Sequence, residues 1–102
     1  MNMSSESASN ERGYIFRLFV AGDEQHSRRA KENLKRICNT RLHHPFEIEI
    51  VDVLQSYTVA LENKIFLTPA LVMVSPAPAV TIFGNLSDTE EVIRALRLGG
   101  DA

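Results

Sequence analysis

Apolar positions along the chain change rhythm several times, and each change marks an element. From Tyr14 to Ala21 the run Tyr-Ile-Phe-Arg-Leu-Phe-Val-Ala is aromatic and β-branched with little alternation, which predicts a central strand buried on both faces. Arg17 interrupts it, and its long stem predicts a side chain near a sheet edge or snorkelling to solvent. After Gly22, with Asp23 or Ser27 as candidate caps, Ala30, Leu34 and Ile37 follow helical spacing with Cys38 beside them. Phe46, Ile48 and Ile50 then alternate with Glu47 and Glu49, as in a strand with one wet face or at an edge. Ser56 can cap a short helix reaching Lys64, with Val59, Ala60 and Leu61 available for burial. Thr68-Pro69 stops that helix and opens an apolar strand from Ala70 to Val74. Ser75-Pro76-Ala77-Pro78 leads to a short strand over Val80 to Phe83 and a turn at Gly84-Asn85. Ser87-Asp88-Thr89-Glu90 reads as a capping box, with Ser87 as the cap, for a last helix with Val92, Ile93 and Leu96 buried and Gly99-Gly100 at its end. Residues 1–12 are polar and predict a disordered tail, with the folded domain spanning 13–102.

The order is β-α-β-α-β-β-α. A strand, a helix and a strand form a parallel, right-handed unit, whereas the short connection between the last strands makes them antiparallel neighbours. An α/β protein with a mixed four-stranded sheet follows, and a proline opening the third strand is the layout of the thioredoxin-like fold. Pro69 is then a candidate for a cis peptide, although a trans proline opening a strand is the commoner case. In that fold a redox pair sits after the first strand. Here the loop reads Ala21-Gly22-Asp23-Glu24-Gln25-His26-Ser27 and holds no cysteine, so thiol–disulfide exchange lacks its nucleophile.

Composition narrows the function classes further. The chain has 102 residues and a formal charge of −2, which gives no general attraction to nucleic acid. No apolar run approaches a membrane span and the N-terminus lacks a secretory pattern, so a cytoplasmic protein is expected. Cys38 is the sole cysteine and reads as a small core residue. His26, His43 and His44 lack metal-ligand spacing, Ser75 and Ser87 have no base partner, and no glycine-rich phosphate loop occurs. Neither catalysis nor a cofactor is expected. Arg28, Arg29, Lys31, Lys35 and Arg36 make one side of the first helix basic, the ordinary pattern of a solvated face.

Several motifs share one order and spacing: Phe19-Val20-Ala21-Gly22, Val51-Asp52-Val53-Leu54, Lys64-Ile65-Phe66-Leu67-Thr68-Pro69-Ala70-Leu71, Pro76-Ala77-Pro78 and Gly84-Asn85-Leu86-Ser87. Together they resemble the KaiB family of circadian-clock proteins, from about Tyr14 to Leu98. The N-terminal domain of clock-output sensor kinases is similar. The resemblance implies a non-enzymatic regulator that binds KaiC, an ATPase ring, in clock or stress signalling. It also implies two accessible folds, a thioredoxin-like state that binds the ring and a rearranged tetramer.

Departures from the family pattern bear on both properties. Ala95 and Arg97 stand where family members commonly have glycine and aspartate, and both are expected to favour the final helix. The protein is therefore expected to rest in the thioredoxin-like state. Glu49, with Glu47 beside it, replaces a lysine on the second strand, and Val80-Thr81 replaces a basic pair, while Lys64 keeps its match. A charge reversal of this kind disfavours an ordinary KaiC ring and points to a divergent one, to a sensor-kinase pathway or to another partner. Tyr57 and Met73 are expected in the core, with self-association into a dimer or tetramer as their other use. The alternative function is a redox-inactive module that holds a small molecule or peptide beside Pro69.

Overall fold

The computed structural model describes residues 13–98; the tail expected at 1–12 lies outside them, as do Gly99 and Gly100, and the last helix, expected to run up to those glycines, already ends at Leu96 with Arg97 as its left-handed C-cap. The elements are β1 (Tyr14–Val20), α1 (Gln25–Arg41), β2 (Phe46–Asp52), α2 (Tyr57–Glu62), β3 (Ala70–Ser75), β4 (Val80–Phe83) and α3 (Thr89–Leu96). They form a four-stranded sheet in the order β2-β1-β3-β4. β1 and β2 are parallel, and β3 runs antiparallel to both β1 and β4. This is the expected mixed sheet of the thioredoxin-like layout.

Alternation along β1 divides the interior into two layers. Phe16, Leu18 and Val20 face one side, where they pack with Leu71 and Met73 against Ala30, Leu34, Ile37 and Cys38 of α1 and Val92, Ile93 and Leu96 of α3. Phe19 faces the other and packs with Val51, Ala70 and Val72 under Ala60 and Ile65. The first layer has two helices above it. The second has only the six residues of α2, which cover one end of the sheet. Burial of a large apolar side chain contributes about 1.5–3 kcal/mol, so the first layer holds most of the packing energy.

Several local expectations change in detail. The cap of α1 is Glu24, whose side chain accepts from the Ser27 N–H; Ser27 is buried inside the first turn, and its hydroxyl accepts from the Ala21 N–H at 3.1 Å. Asp88, not Ser87, caps α3 by accepting from the Glu91 N–H at 3.2 Å. Ser87 instead donates its N–H to the Asn85 side chain. Ser56 flanks α2 without a side-chain bond, and the helix ends at Glu62, two residues before Lys64. Tyr57 and Leu61 are exposed, while Met73 is buried as expected. A helix of under two turns can turn only a narrow stripe inward, and Ala60 occupies it.

β2 is an edge strand, as its pattern predicts, but its apolar face is only partly covered. Ile48 packs against the first layer, whereas Phe46 and Ile50 remain exposed beyond the reach of α1. The strand's buried residue is Val51, on the same face as the two glutamates.

Candidate functional site

Two regions collect the residues that sequence reasoning singled out. The first is the sheet end where β1 and β2 finish and β3 begins. Gly22 adopts φ +57°, a left-handed conformation that glycine takes without a side-chain clash, and its N–H donates to Asp52 Oδ1 at 3.0 Å. The same oxygen accepts from the Leu54 N–H at 3.0 Å, so one carboxylate ties the two loops together. Thr68–Pro69 is cis, as are Ser75–Pro76 and Ala77–Pro78. Pro69 is buried, and its carbonyl accepts from the N–H of Gly84, whose φ of +115° suits glycine alone. Leu54, Phe66 and Leu67 stand exposed at this end, the last two at 74% and 68%.

The loop is built for shape rather than for thiol chemistry. In the thioredoxin-like layout the redox pair would lie here, yet Glu24 and Ser27 close the turn by hydrogen bonds. The Glu24 carboxyl is held below its ordinary value of 4.5, chiefly by the backbone N–H of His26, with a further contribution from that of Ser27. Cys38 lies far along α1 in the apolar layer, and burial pushes its thiol up to about 12. It stays protonated and unreactive at neutral pH.

The second region is the α2-side face of the sheet beyond the reach of α2. Register places Ile15 beside Glu47 and Arg17 beside Glu49. Arg17 Nε donates to Glu49 Oε1 at 2.9 Å, with the two side chains 30% and 53% exposed. Arg17 therefore sits on an interior strand and reaches across to the edge, which joins the two expectations for it. A partly exposed pair of this kind is worth at most about 1 kcal/mol. Its larger effect is on recognition, since it neutralises Glu49 and leaves Glu47 as the unpaired negative charge on that edge among the described residues.

Lys64 is not part of that cluster. It follows α2 with φ 59°, exposed, its N–H bonded to the Leu61 carbonyl. Ile65 beside it packs on Phe19 and Val51, so Lys64 belongs to the end of the face nearer β3, while Glu47 lies at the other. Sequence reasoning places Arg17 near a sheet edge or at solvent in preference to a buried functional cation. The signal that links it to the site is its in-register position opposite Glu49, which requires the pairing to be known. Ala95 lies inside α3, half-buried between Ile93 and Leu96. Arg97 lies outside the helix, as its left-handed C-cap.

The KaiB domain family matches residues 17–98, nearly all of the described fold. The chain belongs to the KaiB family. It is 41% identical over 85 residues to the circadian clock oscillator protein KaiB of Picosynechococcus sp., covering 83% of this chain and 82% of that one. Against KaiB of Synechococcus elongatus the identity is 39% over 90 residues, 88% of each chain. The circadian clock protein KaiB3 of Synechocystis sp. is 38% identical over 82 residues, 80% of each. These relatives are named for a clock role and not for a reaction.

Solved structures show the fold of this KaiB-family chain independently. The N-terminal domain of Synechococcus elongatus SasA superposes with a TM-score of 0.69 at 20% identity, over 84% of this chain and 85% of that domain. Chloroplastic thioredoxin z gives 0.70 at 12% identity, over 97% and 89%. The described arrangement is the thioredoxin-like one and not the rearranged tetramer fold.

Proposed function

We propose that this KaiB-family protein is a non-enzymatic regulator in circadian-clock or related stress signalling, which works in the cytoplasm by binding a divergent KaiC-type ATPase. The family match across residues 17–98 carries this reading, because it embraces every element from α1 to α3 and most of β1. The Arg17–Glu49 pair, Glu47 and Lys64 supply the charged contacts, and the exposed Phe66 and Leu67 supply the apolar ones. Electrostatic complementarity of this sort sets partner choice more than raw affinity.

Binding of purified KaiC-type rings, measured by sedimentation, tests the assignment. Glu47→Lys with Glu49→Lys is expected to weaken binding to the protein's own ring by roughly tenfold or more and to strengthen binding to the ring of a relative that carries lysine at that strand. Equal binding of both rings by both forms contradicts it.

A second reading draws on the apolar residues at the Pro69 end, Leu54, Phe66 and Leu67. In this reading the module holds a small molecule or a peptide there, and a saturable ligand-dependent rise in melting temperature without any protein partner would favour it.

A further inference from the structure

Six of the 17 residues of α1 are cationic, Arg28, Arg29, Lys31, Lys35, Arg36 and Arg41, and Glu32 is its one acid. Five of the six fall into two groups. Arg36 and Arg41 reach α3, where Arg36 donates to Thr89 Oγ1 at 3.1 Å and Arg41 pairs with Glu90 at 3.0 Å. Arg28, Lys31 and Lys35 follow i, i+3, i+7 spacing and line another flank of the helix. Arg28 and Lys35 are exposed and Lys31 is half-buried. Arg28 has an exposed Asp23 at 3.5 Å, a contact of the kind that contributes little. Among the described residues Lys31 and Lys35 make no ion pair, and Glu32 pairs with neither Arg28 nor Lys35.

This row works against the helix that carries it. Like charges three and four residues apart on a helix repel. Arg28 also meets the positive end of the helix dipole, and the first turn holds no acid to offset it. No contact within the described fold compensates Lys31 and Lys35. A local rule broken without an internal gain marks a surface shaped by something outside the fold.

We propose that Arg28, Lys31 and Lys35 form a docking row for an acidic helical segment of a different protein, which sets carboxylates at matching spacing along this flank of α1. Charge complementarity selects an acidic partner, and spacing selects a helix. Steps of three and four residues along α1 are about 4.5 and 6 Å. Acids three and four residues apart on a facing helix reproduce them, whereas same-side residues of an extended strand stand about 6.6–6.8 Å apart. A nucleic acid fits less well, because the row is only about 10 Å long. Asp23 and Glu24 lie at one end of it, Glu32 lies along its border, and the whole chain carries −2, so a long polyanion runs onto like charge. A membrane surface would need apolar side chains among the cations, and the exposed positions beside the row, Gln25, Glu32 and Asn39, are polar. The row lies on the α1 side of the sheet, whereas Glu47, Glu49 and Lys64 belong to the α2 side. This contact is therefore independent of the clock ring.

Isothermal titration of the full chain with two synthetic helical peptides tests it. One carries glutamates at i, i+4 and i+7, and the other has the same composition with its glutamates spread around the helix. The matched peptide is expected to bind roughly tenfold tighter or more, with an affinity that falls as salt rises. Lys31→Glu is expected to weaken that binding by roughly tenfold or more, while Arg94→Glu, the same charge change on α3, leaves it unchanged. In the free chain Lys31→Glu is expected to raise the melting temperature, because it exchanges two repulsions for attractions to Arg28 and Lys35. That readout needs no ligand. Equal binding of the two peptides, equal losses in the two variants, a melting temperature lowered by Lys31→Glu, or tighter binding of single-stranded DNA or phosphatidylserine vesicles than of the matched peptide would overturn the proposal.

Discussion

Arg97 takes φ 59° at the C-cap of α3, and its N–H returns to the carbonyls of Ile93 and Arg94. A non-glycine residue in this conformation is strained by about 1 kcal/mol. Its charge still lies near the negative helix end, but the helix-propensity argument for Arg97 does not apply to a residue outside the helix. Ala95 is different, because it is inside α3 and its gain over glycine is the full helical one. Glycine substitutions therefore separate the two. Ala95→Gly is expected to lower stability by about 1 kcal/mol, or about 4–8 °C in melting temperature. Arg97→Gly is expected to leave stability level or raise it by up to about 1 kcal/mol. Thermal unfolding of both checks this. The position of Arg97 was not legible in the sequence, since the helix end depends on where Leu98 packs, and Leu98 reaches back into the first apolar layer.

At the scale of elements, the long periodic segments were readable and their ends were not. α1 and the near-continuous apolarity of β1 follow from residue spacing alone. The caps shifted by one residue because several oxygens compete at each helix start. Glu24 prevailed over Asp23 and Ser27, and Asp88 prevailed over Ser87. The single apolar face expected for β2 failed for another reason. No helix reaches over Phe46 and Ile50, and periodicity does not report how far a neighbouring element extends. Glu24 gives the α1 cap a pH dependence. Its carboxyl is held below 4.5 in the folded state, so its contribution to stability is complete above that value and is lost as pH falls through the lowered one. Glu24→Gln is expected to melt below the wild type at neutral pH, with the gap closing in acid. Unfolding curves across that range measure it.

On the scale of the whole molecule, three polar bridges hold the second half of the chain to the first. Asn33 donates to the Asn85 carbonyl at 2.8 Å and Arg36 to Thr89 Oγ1 at 3.1 Å, and Arg41 pairs with Glu90 at 3.0 Å. Together with Leu86, Val92, Ile93, Leu96 and Leu98 in the apolar layer, they fasten α3 against α1. An alternative fold of the second half would have to break all of them, which supports a thioredoxin-like resting state. Sequence motifs pointed to the family, and the topology followed from element order. The joining of Arg17 to Glu49 and the separation of Lys64 from both glutamates came only from register and loop geometry.

In the proposed function, the protein binds a KaiC-type ATPase from the thioredoxin-like state without refolding. Solution NMR of the labelled chain, alone and titrated with the purified KaiC-type ring, tests it most directly. One set of resonances is expected before addition, with helical shifts over Thr89–Leu96 and strand shifts over Val80–Phe83. On addition, the signals of Arg17, Glu47, Glu49 and Lys64 should change or broaden first. A second exchanging set in the free protein, strand shifts where α3 stands, or no response to the ring would contradict it.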